Sequence, residues 1–320
     1  MYSFGNCSLP EHTTLFRFTL AATITVTCGK TGTLFFWMVM REHSFCGLGP
    51  SGFHRIHYYE WGAAENDRVA ICVHGLTRNG RDFDLLATAL SQHYRVVCPD
   101  VVGRGKSEWL PNKEDYGYPQ YCADMAALIA RSGALSIDWI GTSMGGIIGM
   151  LMAAQNGSPI RRMVVNDVGP FIPKAALERI GSYVGKDISF ASIEEAETYI
   201  RFVSAGFGPL SDSQWRHLVE HSIARDENGK LRLIYDPSIA HAFSGPIDDV
   251  DLWSVWDRLT CQTLLLRGTA SDLLLADTAT EMTHRGPPTR LVEFEGVGHA
   301  PMLMDEEQIG AVTEFLLEPG

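Results

Sequence analysis

The chain has 320 residues, a mass of 35.4 kDa, 45% hydrophobic and 20% charged residues, which excludes an intrinsically disordered protein and allows a sizeable core. A net charge of −12 and a pI near 5.3 argue against nucleic-acid partners and against an anionic membrane surface, since both need a basic face and no run of Lys and Arg occurs. Seven cysteines without a CxxC pair argue against a disulfide framework and for a reducing, cytoplasmic setting.

In chain order, residues 1–45 are expected to lie outside the fold, with the natural start at Met38 or Met40. Residues 15–28 are apolar but carry Arg17 and several threonines, too polar for a spanning helix. The run 32–40 is too short to span. Gly29-Lys30-Thr31 ends like a phosphate-binding loop, but Ile24 stands where that loop needs glycine, so the motif is rejected.

From there a βαβ rhythm sets in. Short β-branched runs at 69–73, 95–98, 137–140, 163–165, 263–266 and 291–294 each stop at a polar or glycine-bearing turn. Helical patterns at 82–92, 119–131 and 144–155 separate them. Alternation of this kind predicts an α/β fold with a mostly parallel sheet flanked by helices, built from residues 46–168 and 252–320. Chemistry then gathers at the carboxyl ends of the strands. Residues 169–251 break the rhythm with helices at 174–184, 192–204 and 211–224 and no strand pattern, as expected of a helical cap. Phe171, Ile172, Phe202, Phe207, Leu210 and Trp215 are the candidates for its inner face, with Phe171, Phe207 and Trp215 as the candidate substrate contacts.

Gly141-Thr142-Ser143-Met144-Gly145 falls between a strand and a helix. A chain that turns this sharply holds the central serine in strained geometry and needs glycine two residues to either side. Its hydroxyl then projects above the sheet beside the amides of a helix N-terminus. A serine nucleophile needs a base, and the base an orienting carboxylate. Asp272 and His299 follow two later strands in the order Ser, Asp, His, so Ser143 reads as nucleophile, His299 as base and Asp272 as acid. Asp167, just past another strand, is the rival acid. His74-Gly75-Leu76-Thr77 follows the strand at 69–73, so the backbone N–H groups of Leu76 and Met144 are the candidate oxyanion donors. His74 precedes that turn and is read as a hydrogen-bonded support for the loop.

A metal reading competes. His217-Leu218-Val219-Glu220-His221 matches H-x-x-E-H, but it lies in the expected cap and no third ligand can be named, so a solvated helix is preferred. No metal or cofactor is expected.

HGLT at His74, the run 100–107 (DVVGRGKS), GTSMGG around Ser143, RGTASD ending in Asp272 and GVGHAP around His299 together resemble the α/β-hydrolase superfamily over residues 53–317. The resemblance implies a mostly parallel eight-stranded sheet, a cap before the strand near Thr263, and the triad and oxyanion roles given above. The arrangement looks like lid-bearing bacterial cytoplasmic serine esterases, some of which hydrolyse short hydroxyalkanoate oligomers. A small-molecule ester is the implied partner, and the oligomeric state, homo-oligomer included, stays open. Serine at the elbow, where epoxide- and halide-processing relatives carry aspartate, favours acyl chemistry. A carbon–carbon hydrolase or acyltransferase on the same triad, or a non-catalytic binding protein of this fold, stays open as the alternative.

Overall fold

Strand residues alternate between two cores. Ile71, Val73, Trp139 and Val165 face one apolar cluster, while Ala70, Cys72, Ile140 and Val164 face the other, as the two-residue period of a strand requires. Both faces are therefore buried, which is why these strands read as continuous apolar runs. The computed structural model describes residues 40–319. The sequence expectations for residues 1–39 lie outside the described residues.

The elements are β1 (Arg41–Gly49), β2 (Gly52–Trp61), β3 (Val69–Val73), α1 (Asp84–Leu90), β4 (Arg95–Pro99), α2 (Tyr118–Ser132), β5 (Ile137–Thr142), α3 (Met144–Ala153) and β6 (Ile160–Asn166). They continue with α4 (Lys174–Gly181), α5 (Ile193–Val203), α6 (Asp212–Glu220), α7 (Trp253–Trp256), β7 (Gln262–Gly268), α8 (Ala276–Met282), β8 (Thr289–Phe294) and α9 (Glu306–Leu317). The eight strands form one sheet in the order β1-β2-β4-β3-β5-β6-β7-β8. Only the β1–β2 and β2–β4 pairings are antiparallel. β1 begins at Arg41, which pairs with Glu60, so residues 41–45 belong to the sheet and the expected boundary at residue 45 falls too late. Its alternating polar pattern is that of an edge strand, with no continuous apolar run to betray it.

Met125, Leu128, Ile148 and Met282 bring α2, α3 and α8 onto the first core, and Leu86, Leu90, Val312 and Phe315 bring α1 and α9 onto the second. Each such side chain contributes about 1.5–3 kcal/mol by leaving water. Because β3 lies between β4 and β5, the loops after β3 and β5 diverge, and a crevice opens at their carboxyl ends.

The excursion between β6 and β7 is not purely helical, contrary to expectation. Besides α4, α5 and α6 it holds a small sheet of Ser189–Phe190, Leu231–Leu233 and Ile223–Arg225. Phe171–Ile172 also pairs with Val250–Asp251, so the entering and leaving chains run side by side. Strands this short leave too few residues for an alternating pattern. The excursion has an apolar core of its own, with Phe190, Ile200, Trp215 and Leu218 packed on Met302 and Met304 of the loop before α9.

Candidate active site

β5 ends at Thr142 and α3 begins at Met144, which leaves Ser143 alone to reverse the chain, at φ 52° and ψ −115°. This left-handed conformation is costly for a residue with a side chain. Glycines flank it because nothing larger fits. A Cβ on Gly141 would stand 2.3 Å from the Gly145 carbonyl oxygen, and one on Gly145 would stand 2.0 Å from that of Val73. The Ser143 amide donates to the Asn166 carbonyl at 2.9 Å, which ties the turn to the end of β6.

Ser143 Oγ lies 2.9 Å from Nε2 of His299. On the far side of the ring, Nδ1 lies 2.7 Å from Oδ2 of Asp167. A carboxylate accepts only, so the ring proton belongs on Nδ1 and Nε2 is left to accept from the serine. Asp167 is fully buried, and its carboxylate also accepts from the Gly268 amide at 2.9 Å and the Ser271 hydroxyl at 2.6 Å. Three donors thus engage it.

The expectation that Asp272 orients His299 is therefore corrected. Asp272 is half exposed and takes the Arg179 guanidinium of α4, Nε to Oδ2 at 2.5 Å and Nη2 to Oδ1 at 2.9 Å. The turn after β7 decides this. Ser271 points inward, its hydroxyl accepting from the amides of Leu273 and Leu274 as well as donating to Asp167, and the next side chain in the turn faces out.

The loop after β3 lies against the elbow. A Cβ on Gly75 would sit 3.7 Å from Ser143 Cβ. His74 is fully buried. Its Nε2 accepts from the Val101 amide at 2.9 Å while Nδ1 bonds the Gly75 carbonyl at 2.7 Å. Burial pushes its pKa down to about 3, so it is a neutral strut joining the ends of β3 and β4. Met144 is the first residue of α3, where backbone N–H groups lack helical partners and the helix dipole favours negative charge.

Arg104, to which sequence reasoning gave no role, joins both candidate oxyanion residues. It is fully buried. Its Nε donates to the Leu76 carbonyl at 2.9 Å, Nη1 to the Val102 carbonyl at 2.8 Å, and Nη2 contacts Met144 Sδ at 3.7 Å. Its guanidinium carbon also lies 5.0 Å from the centre of the Tyr121 ring. The only signal for it was an arginine between Gly103 and Gly105, which in a sequence reads as a surface turn.

A groove of about 610 Å³ opens beside His299, between α4 and α5. Tyr183, Tyr199 and Phe202 line it together with Arg179 and Lys186.

Residues 70–312 match the alpha/beta hydrolase family. The chain belongs to this family. It is 44% identical over 277 residues, 84% of this chain and 94% of the other, to the 3-hydroxybutyrate-oligomer hydrolase of Cupriavidus necator. Among solved structures it resembles an alpha/beta hydrolase from Novosphingobium aromaticivorans, with 36% identity, a TM-score of 0.78 and coverage of 87% and 98% of the two chains. A protein from Rickettsia typhi superposes with a TM-score of 0.82 at 32% identity, covering 88% and 100%.

Of the residues expected on the inner face of the cap of this hydrolase, Phe202 lines the groove beside His299, while Phe171, Phe207 and Trp215 do not. Phe207 stacks on Trp215 with ring centres 6.1 Å apart, and both belong to the apolar core of the excursion. Phe171 sits in the paired strands at its base. Amphipathic helices have two apolar destinations, their own core and the site, and periodicity does not separate them.

His217 and His221 of the H-x-x-E-H motif come within 4.8 Å of Asp84 of α1, measured between ligand atoms. The Asp84 carboxylate is already held by Arg81, at 2.8 Å and 2.9 Å from Nε and 2.5 Å from Nη2, and His217 Nε2 bonds the Arg81 carbonyl at 3.0 Å. Glu220, the base that the motif would require, is not part of this cluster. Among the described residues, no helix is long and apolar enough to cross a membrane.

Proposed function

We propose that this hydrolase cleaves carboxylic esters through an acyl-enzyme on Ser143, with short hydroxyalkanoate oligomers as its substrates. The observation that carries the reading is the unbroken line from Ser143 Oγ through His299 to the buried Asp167. The substrate class is supported by the 44% identity to a 3-hydroxybutyrate-oligomer hydrolase over nearly all of that protein.

In the proposed reaction Ser143 Oγ attacks the ester carbonyl carbon while His299 Nε2 takes its proton. Asp167 holds the ring in the required tautomer and stabilises the imidazolium. The negative oxygen of the tetrahedral intermediate is met by the backbone N–H groups of Leu76 and Met144. The intermediate collapses, the carbon–oxygen bond to the alcohol breaks, and His299 returns the proton to that oxygen. Water, deprotonated by the same ring, then attacks the acyl-serine; the bond to Ser143 Oγ breaks, His299 returns the proton to that oxygen, and the acid is released.

The test is acid release from the linear dimer of 3-hydroxybutyrate, with labelling by a fluorophosphonate. The wild-type protein is expected to turn the dimer over and to be labelled at Ser143. Ser143→Ala should fold normally and lose at least about a thousandfold in kcat. Turnover that survives in Ser143→Ala, or a label on another residue, would overturn the assignment.

A further inference from the structure

The groove beside His299 has two unlike walls. Arg179 of α4 and Ser182, Tyr183 and Lys186 of the segment that follows it form one; Tyr199, Phe202 and Val203 form the other, on one face of α5. The α5 wall is aromatic and aliphatic, with Phe202 81% exposed and Tyr199 and Val203 half-buried. The α4 wall carries two cations in a chain whose net charge is −12. Arg179 is neutralised by Asp272, and Asp187, the acid next to Lys186, is engaged by Arg232. Lys186 is left with no acidic partner within ion-pair distance among the described residues.

His299 borders the groove and Ser143 does not. In the reaction proposed above His299 returns the proton to the departing alcohol oxygen, so a leaving alcohol that extends past His299 would enter this groove. In a linear hydroxyalkanoate oligomer, that alcohol ends in the free carboxylate, on a short aliphatic chain.

We propose that the groove between α4 and α5 is a subsite for a leaving alcohol that bears a carboxylate, and that Lys186 is its specificity-determining residue. The aliphatic segment packs on Phe202 and Tyr199 while the ammonium group of Lys186 meets the carboxylate. Asp272 keeps Arg179 in the wall and cancels its charge, which leaves one net cation for one anion. This inference rests on the ester-hydrolase reading and extends it to the end of the substrate.

The experiment compares kcat/KM for the 3-hydroxybutyrate dimer as free acid and as methyl ester, which share the scissile bond and differ in terminal charge. For Lys186→Met the ratio of free acid to methyl ester should fall about two- to fivefold below that of the wild type, the scale of a solvent-accessible ion pair. Lys186→Arg should keep the ratio, and added salt should lower it in the wild type. Lys174→Met removes a cation from α4 outside the groove and should leave the ratio as it is. An unchanged ratio in Lys186→Met, or an equal fall in Lys174→Met, overturns the subsite. Calorimetric binding of the free-acid dimer to Ser143→Ala, with and without Lys186→Met, separates the two readings. If no ester is turned over, the hydrolytic reading fails; a Lys186-dependent affinity for the dimer would still uphold the subsite, and equal affinities would overturn it too.

Discussion

His299 presents Nδ1 to Oδ2 of Asp167 at 2.7 Å, with the carboxylate fully buried at the end of β6. That contact, and not one with the half-exposed Asp272, sets the ring for the serine on its other side. Asp167→Asn is expected to lower kcat by about a thousandfold or more with little loss of fold, because an amide does not hold the imidazolium. Asp272→Asn breaks an exposed ion pair with Arg179 and should change kcat by less than about tenfold. Steady-state kinetics on one chromogenic short-chain ester decides, and a larger loss in Asp272→Asn would return the acid to the end of β7.

Arg104 reaches the carbonyl of Leu76 and the side chain of Met144 from a fully buried position. Lysine keeps the charge but not the planar fork. Arg104→Lys should therefore lower kcat by about ten- to a hundredfold with KM little changed, since oxyanion contacts act in the transition state. The variant must be assayed well below its melting temperature. A rise in KM with kcat intact would mean that the loop shapes the substrate site and not the proposed oxyanion donors.

Phe202 and Phe207 are near neighbours in sequence with different destinations. Phe202 is open to the groove, whereas Phe207 is stacked on Trp215. Phe202→Ala should shift the relative kcat/KM across esters of increasing alcohol length by about 1–3 kcal/mol at most, with stability nearly unchanged. Phe207→Ala should cost about 1–3 kcal/mol of stability. Denaturant melts and a homologous ester series on both variants check this pair, and the opposite pattern would exchange their roles.

His74 supplies a pH dependence of stability. Its pKa is depressed to about 3 in the folded protein, below the ordinary value of 6.5, so the unfolded chain binds the proton first. The stability it contributes is fully present above pH 6.5 and is lost as the pH falls toward 3. His74→Asn keeps a donor and an acceptor without a titrating ring. It should lower stability at pH 8, and its acid limb between pH 6.5 and 3 should be shallower than that of the wild type. Parallel limbs in urea midpoints measured over that range would show that another group carries the slope.

Local chemistry made much of this molecule legible from sequence. The elbow could be found because strand, turn and helix are adjacent, and Gly141 and Gly145 are required by atoms a few residues away or on the neighbouring strand. The parallel sheet could be found because strands buried on both faces are continuous apolar runs. His299 is legible from its place just beyond a strand. The acid was not decided in this way. β6 and β7 are adjacent strands, so Asp167 and Asp272 arrive at the same edge of the sheet, and only the inward turn of Ser271 and the pull of Arg179 separate a buried carboxylate from a solvated one. Arg104 and the cationic wall of the groove are hidden for the same reason. What a guanidinium or an amphipathic helix faces depends on segments far away in the chain, and burial of a charge is a property of the whole fold and of no single stretch of sequence.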